Sequence, residues 1–159
     1  MNNLRHYVFK SIWHVDGPFD DIYTVLADVT SYPDWWPEIR TVTPLGDNRF
    51  EMVARSTLPY DLRFVSEEVP AKRRPDYIYA TLSGDLNGFA AWTIEDRGGS
   101  CRLTYDQEVE THKRLLDTLA PLARPAFKAN HTLMMRHGQA GLRTYMAGYL
   151  HGAERRRPA

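Results

Sequence analysis

Residues 101–110 read CRLTYDQEVE, and this stretch decides the fold class that the sequence predicts. Its positions alternate between two sets, Leu103, Tyr105, Gln107 and Val109 against Thr104, Asp106, Glu108 and Glu110. Successive side chains of a β-strand point to opposite faces of the sheet. The pattern therefore predicts a strand with one face on the core and one in water, which is typical of an antiparallel sheet.

Six further segments upstream have the β-branched and aromatic composition of strands. They lie at residues 6–15, 39–45, 49–57, 60–69, 76–83 and 87–96, and the seventh strand extends over 101–111. Stretches rich in Gly, Pro, Asp and Asn separate them and predict turns. Between the first two strands, residues 19–27 (FDDIYTVLA) carry acids in the first turn and predict a short helix.

A long helical region follows the last strand. We predict a first piece at residues 113–122 and a second piece that begins at Pro125, as an N1 proline, and runs to about Tyr149. Its apolar face is predicted to contain Phe127, His131, Met134, Gly138, Leu142, Tyr145 and Tyr149. At 1.5 Å per residue this helix is about 37 Å long. It is the natural cover for the apolar face of a seven-stranded sheet.

Composition limits the classes of function. The 159 residues are 43% hydrophobic and carry no net charge, so nothing favours binding to nucleic acid or to an anionic membrane. The chain shows no apolar run long enough to span a membrane and no signal peptide, so we expect no integral membrane association. The single Cys101 excludes an internal disulfide bond and is expected to be a buried strand residue in a cytoplasmic protein.

Four stretches and the order of elements resemble the START-like, or SRPBCC, superfamily. The stretches are IYTVLADVTSYPDWWPEI at 22–39, SGDLNGFAAWTIE at 83–95, CRLTYDQEVE at 101–110 and LAPLARPAFKANHTLMMRHGQAGLRTYM at 119–146. The most similar branch is the bacterial polyketide cyclase/dehydrase and lipid-transport group. The resemblance implies an α+β helix-grip (Bet v 1-like) fold, in which a seven-stranded antiparallel sheet wraps around the C-terminal helix and leaves an internal cavity.

This resemblance gives a role to the segment at 28–39, DVTSYPDWWPEI, which is neither a clean helix nor a clean strand. It would wrap over one end of the sheet near the cavity mouth, with its prolines fixing the chain path. Of the adjacent Trp35 and Trp36 we expect Trp36 to face inward and Trp35 the rim. Packing of both without ligand contact is the alternative. One domain is expected over residues 1–152, followed by a flexible basic tail at 153–159.

Strand parity and the resemblance together predict the residues that contact a ligand. They are Trp36, Met52, Phe64, Trp92, Tyr105, Gln107, His131 and Met134. A buried Gln107 amide needs partners, which a ligand, a water molecule or a neighbouring side chain can supply. His131, beside Asn130, can be a core histidine or an acid/base group. Met135 is expected to be core filler.

Three functions remain open. The first is a module that binds a small hydrophobic molecule, as a monomer or homodimer and without a cofactor. The second is a metal-independent polyketide cyclase, aromatase or dehydratase, for which His131 and Tyr105 are weak catalytic candidates. The third is an interaction protein like the coenzyme Q-binding relatives that share a DVTSYP-like stretch. The sequence contains no GxSxG, HExxH, Walker or GxGxxG motif, and its six histidines lack metal-ligand spacing.

Overall fold

The predicted strand and helix order is confirmed. The computed structural model describes residues 5–55, 57–112 and 120–156 of the chain. The strands are β1 (His6–Asp16), β2 (Ile39–Gly46), β3 (Arg49–Arg55), β4 (Asp61–Glu68), β5 (Tyr77–Gly84), β6 (Leu86–Asp96) and β7 (Ser100–Thr111). The helices are α1 (Phe19–Ala27), α2 (Tyr32–Trp35) and α3 (Ala120–Arg155), and short 3-10 turns occupy Val29–Ser31 and Pro70–Lys72.

All seven strands belong to one antiparallel sheet in the order β1-β7-β6-β5-β4-β3-β2. Strands β2 to β7 form a meander, and the last strand, β7, pairs with the first, β1. Tight turns with left-handed backbone make the meander possible. In the β2–β3 hairpin Asp47 and Asn48 have φ values of 50° and 60°, which short Asx side chains tolerate.

Helix α3 lies along β1 and covers part of that strand's free edge. The Gln139 side chain accepts a hydrogen bond from the His14 backbone N–H at 3.0 Å, and Arg143 Nε donates to the His14 carbonyl at 2.8 Å. Nearer the helix start, Arg124 donates to the His6 carbonyl at 3.0 Å. These contacts satisfy backbone groups that an edge strand would otherwise expose, and they fix the position of α3 against the sheet.

The core lies between the sheet and the helices. The buried face of α3 contains Phe127, Gly138 and Leu142 as predicted, and also Met135 and Met146. Tyr149, predicted on this face, is 38% exposed, whereas the next residue, Leu150, packs against the core. Cys101 is buried in β7 as expected. Among the described residues, none of the helices has both the length and the apolar character needed to cross a bilayer.

Two boundaries of α3 differ from the prediction. The described helix begins at Ala120, so Pro125 lies inside it rather than at its first position. Pro125 is exposed and near the helix start, so the single hydrogen bond that proline removes is tolerated. Residues 153–155, predicted as tail, belong to α3, and 157–159 lie outside the described residues. The helical piece predicted at 113–122 also lies outside them, except for its last three residues, which are part of α3.

Candidate functional site

A cavity of about 120 Å³ lies between the sheet and α3. Its walls come from all seven strands, from the segment around α2 and from one face of α3. All eight residues that the sequence nominated for ligand contact line it: Trp36, Met52, Phe64, Trp92, Tyr105, Gln107, His131 and Met134. Among the residues described here, none with a formally charged side chain at neutral pH contributes to the lining.

Register in the sheet explains how the strand residues meet. Trp92 of β6 pairs with Tyr105 of β7, and Ala90 pairs with Gln107, so all four project from the same face. Gln107 also lies opposite Phe9 of β1. The small Ala90 leaves space beside the large rings, which is how a well-packed sheet can contain a cavity.

One end of the cavity, here called the tryptophan end, is lined by Tyr32, Trp36 and Trp92, with Trp13 and Trp35 packed behind them. Trp36 Nε1 donates to the Met134 carbonyl at 2.9 Å, and Trp92 Nε1 donates to the Tyr32 hydroxyl at 3.1 Å. The Tyr32 hydroxyl in turn donates to the Leu26 carbonyl at 2.7 Å. The ring centroids of Trp13 and Trp92 are 4.9 Å apart. This end therefore consists of closely packed aromatic rings, and the polar atoms of Tyr32, Trp36 and Trp92 all have hydrogen-bond partners.

The adjacent tryptophans have different positions. Trp36 lines the cavity, whereas Trp35 is 3% exposed and packs between α2 and α3 beside an outer groove. Trp35 Nε1 contacts the Ser31 hydroxyl at 3.4 Å. Trp35 is thus buried in an interface between two helices and does not stand at the rim of the cavity.

Two glycines of α3 allow this close packing. A Cβ added at Gly141 would lie 1.7 Å from the Trp35 carbonyl oxygen, and one added at Gly138 would lie 2.7 Å from ring atoms of Trp13 and Trp36. No side chain fits at either distance. The helix therefore approaches the tryptophan end more closely than any other residue type would permit.

The other end of the cavity, here called the polar end, consists of Gln107, Asn130 and His131. His131 Nε2 donates to Gln107 Oε1 at 3.0 Å, so Nδ1 of the neutral ring keeps its lone pair. The imidazole stacks on Phe9 with ring centroids 3.6 Å apart and planes within 8°. Burial lowers the pKa of His131 from 6.5 to about 4, which keeps the ring uncharged at neutral pH. Asn130 contacts Thr57 and the Met134 sulfur.

Tyr105 lies between the two ends, against Trp92 and Trp36. Burial raises the pKa of its hydroxyl, so the group is a neutral phenol over the physiological range. Within the described part of the chain no protein group forms a hydrogen bond with this hydroxyl, in contrast to that of Tyr32. Tyr105 therefore offers a free donor and acceptor at the cavity wall.

Several lining residues were not predicted. Tyr32, Phe9, Ser66 and Met135 all contribute to the cavity. Phe9 could have been found, because it lies on the same face of β1 as the buried Tyr7 and Trp13. Tyr32 could not, because it lies beside Pro33 in a segment with no strand or helix period.

One of the ion pairs outside the cavity involves a buried carboxylate. The buried Glu38 carboxylate accepts a hydrogen bond from Nδ1 of His137 on α3. The pair ties the start of β2 to the helix beside the tryptophan end. No cluster of three potential metal ligands occurs among the residues that the structure describes.

Comparison with known protein families finds a match over most of the chain. The family model described as "Polyketide cyclase / dehydrase and lipid transport" matches residues 9–147. No curated protein matches the chain at a significant level.

Solved structures resemble the fold at low sequence identity. A START superfamily protein from Mycobacterium smegmatis has 16% identity and a TM-score of 0.73, over 89% of this chain and 98% of that one. The Zhui aromatase/cyclase from Streptomyces sp. R1128 has 16% identity and a TM-score of 0.69, over 88% and 93%. A conserved protein from Geobacillus kaustophilus has 10% identity and a TM-score of 0.73, over 89% and 96%.

Proposed function

Because the chain belongs to the polyketide cyclase/dehydrase and lipid-transport family, we propose that it binds a small hydrophobic molecule in the cavity between the sheet and α3. The observation that carries this proposal is the lining, which is formed by aromatic and aliphatic side chains with a few uncharged polar groups. Burying apolar ligand surface there gains roughly 25 cal/mol per Å² removed from water. Such a lining is characteristic of ligand pockets in general.

The cavity volume limits the part of a ligand that can be enclosed. At about 120 Å³ it is close to the roughly 150 Å³ of an engineered apolar cavity that binds benzene. A single ring or a short branched chain fits this space. Met134 and Met135 form part of the wall, and their flexible thioether side chains can rearrange to admit a larger molecule.

The proposal is tested by filling the cavity. Ala80 lines it from β5, and Ala80→Leu places three further carbons inside. The neighbouring Thr81 is exposed on the outer face of the same strand, so Thr81→Leu is the matched control. Titration with toluene, followed by tryptophan fluorescence, should show at least tenfold weaker binding to Ala80→Leu. The control should bind like the wild type.

Two results would contradict the proposal. One is equal toluene affinity for the wild type and for a correctly folded Ala80→Leu variant. The other is no fluorescence change for any apolar ring in the wild type, since Trp36 and Trp92 both line the cavity. Native mass spectrometry of protein purified from its own host would add the identity of a retained molecule. Trp92→Phe should alter the fluorescence response without abolishing binding.

An enzyme of the cyclase or aromatase type is the second candidate, and the polar end supports it. His131 is neutral, and its free Nδ1 lone pair can accept a proton at the cavity wall. The Tyr105 hydroxyl, which has no hydrogen-bond partner among the described residues, can donate one. A retained ligand that changes mass during incubation would favour this candidate. His131→Gln should then stop the conversion while binding persists. A carrier would convert no ligand, and its His131→Gln variant would still bind.

The wider organisation follows from the same proposal. We propose that residues 1–152 act as one ligand-binding domain in the cytoplasm, as a monomer or homodimer. Support comes from the described part of the chain, in which all seven strands join one sheet that shares a hydrophobic core with α3. A filled interior would favour the interaction-protein alternative, and the cavity weighs against it. Size-exclusion chromatography with light scattering would measure the oligomeric state.

A further inference from the structure

We infer that the cavity selects an uncharged, hydroxylated single ring over the bare ring and over the carboxylate of the same size. This inference rests on the proposed binding function and gives it a ligand class. Three observations carry it: the absence of charge among the described lining residues, a set of polar atoms that the protein leaves unused, and the cavity volume.

The first observation excludes anions such as carboxylates. No Lys, Arg, Asp or Glu is among the described lining residues, and the titratable groups there are His131, Tyr32 and Tyr105. Burial lowers the pKa of His131 and raises the pKa of both tyrosines, so all three are neutral at pH 7. A carboxylate in this cavity would lose its hydration without gaining a counter-charge, which is strongly unfavourable.

The second observation favours a hydroxyl group. The Tyr105 hydroxyl has no hydrogen-bond partner within the described residues. Gln107 uses its carbonyl oxygen on His131, and no described group accepts from its amide nitrogen. His131 keeps a free lone pair on Nδ1. Tyr105 and Gln107 are two residues apart on the inner face of β7, so donors and an acceptor converge on one region.

A ligand hydroxyl matches this set because it both accepts and donates. It can accept from the Gln107 amide or the Tyr105 hydroxyl and donate to His131 Nδ1 or to Tyr105. A bare hydrocarbon ring would leave these groups without partners. Sites built to bond a hydroxyl discriminate against analogues that lack it, because their own buried polar groups then remain unpaired.

The third observation sets the size. A cavity of about 120 Å³ accommodates roughly one aromatic ring, and the neighbouring faces of Trp36, Trp92 and Tyr105 suit such a ring. The ring would lie against the tryptophan end, with its hydroxyl directed towards Gln107. Benzene, phenol and benzoate therefore form a matched set of probes that differ in one substituent.

The test is calorimetric titration of the wild-type protein with these three probes at pH 7. Phenol should bind at least tenfold more tightly than benzene, and benzoate should show no measurable binding. Tyr105→Phe removes one hydroxyl that has no partner among the described residues, and should reduce the ratio of phenol affinity to benzene affinity at least threefold. Tyr149→Phe makes the same chemical change at a site outside the cavity and should leave all three affinities unchanged.

The outcomes separate this inference from the proposed function. If benzene and phenol bind equally well, the hydroxyl preference is wrong and the binding function stands. Benzoate binding as tight as that of phenol would overturn the exclusion of charge in the same way. If none of the three probes binds, both the inference and the binding function fail. The wild-type comparison decides the matter even where a variant does not fold.

Discussion

The two ends of the cavity differ in how completely the protein satisfies its own polar atoms. At the tryptophan end, the indole N–H groups of Trp36 and Trp92 donate to protein acceptors, and the Tyr32 hydroxyl both donates and accepts. At the polar end, Gln107 and His131 bond each other by one atom each. The first end has completed hydrogen bonds, and the second keeps capacity for more.

Helix α3 also packs more closely at the tryptophan end than at the polar end. Gly138 and Gly141 bring α3 against the tryptophans, whereas Asn130 and His131, two to three turns earlier, stand at the wall of an open space. One part of the helix is fixed to the body of the protein and another part lines a cavity. In this arrangement the close packing at the tryptophan end fixes the position of α3, and the polar end is left to recognise a ligand.

The largest expected effect is that of a methyl group at the tryptophan end. Gly141→Ala would place Cβ 1.7 Å from the Trp35 carbonyl oxygen, so backbone must move. We expect the free energy of unfolding to fall by about 3 kcal/mol, at the upper limit for overpacking. Urea denaturation followed by tryptophan fluorescence measures the loss.

Gly148→Ala is the control for that substitution. A Cβ at Gly148 would meet no atom within 4 Å, and glycine in an exposed helix costs roughly 0.5–1 kcal/mol relative to alanine. The control should therefore be slightly stabilised. Similar stability changes for the two alanine variants would show that close approach of α3 to Trp35 does not hold the tryptophan end together.

The next effect concerns the polar end and depends on pH. His131 has a pKa of about 4 in the folded protein and 6.5 as the ordinary value. Its contribution to stability is therefore complete above pH 6.5 and is lost as pH falls towards 4, because the unfolded chain binds the proton first. Between pH 7 and pH 5 the loss should be about 2 kcal/mol.

The measurement is the free energy of unfolding at pH 7 and pH 5 for the wild type and for His131→Gln. The variant should lack about 2 kcal/mol of the pH dependence. His151→Gln, at an exposed position on α3, should keep the wild-type dependence. An identical pH dependence for wild type and His131→Gln would mean that His131 titrates normally and is not buried at the cavity wall.

Much of this architecture follows from local patterns in the sequence. The strands were predicted to within two residues at their ends, because alternation and turn residues act over short distances. The same alternation placed Tyr105 and Gln107 on the inner face, and the fold resemblance placed the face of Trp92 inside. The inward position of Trp36 was predicted from the fold resemblance and not from any local pattern, whereas Trp35 is buried between helices and not at the rim.

Tertiary contacts explain what the sequence could not predict. Gly141 appears as an isolated helix glycine, and its need arises from a carbonyl more than 100 residues away in the chain. The partner of Gln107 is a histidine on α3, and no spacing rule connects the two. Pro125 resembles a helix start, yet the helix already exists at Ala120. Each case depends on the approach of distant segments rather than on the segment itself.

The last comparison is between the two tyrosines of the cavity, and one of them, Tyr105, has the smallest expected effect on stability. Tyr32→Phe leaves the Leu26 carbonyl and the Trp92 N–H without their partner, and should cost about 2 kcal/mol of stability. Tyr105→Phe breaks no protein hydrogen bond described here, so its stability should stay within about 0.5 kcal/mol of the wild type. Thermal and urea unfolding of both variants without added ligand provide the comparison.

The same pair decides whether the contrast between the ends is real. If Tyr105→Phe destabilises the free protein as much as Tyr32→Phe does, the Tyr105 hydroxyl already has a partner and is not reserved for a ligand. If neither substitution has an effect, the hydrogen bonds of Tyr32 do not stabilise the tryptophan end. A loss confined to Tyr32→Phe, combined with weaker phenol binding confined to Tyr105→Phe, would assign stability to one hydroxyl and recognition to the other.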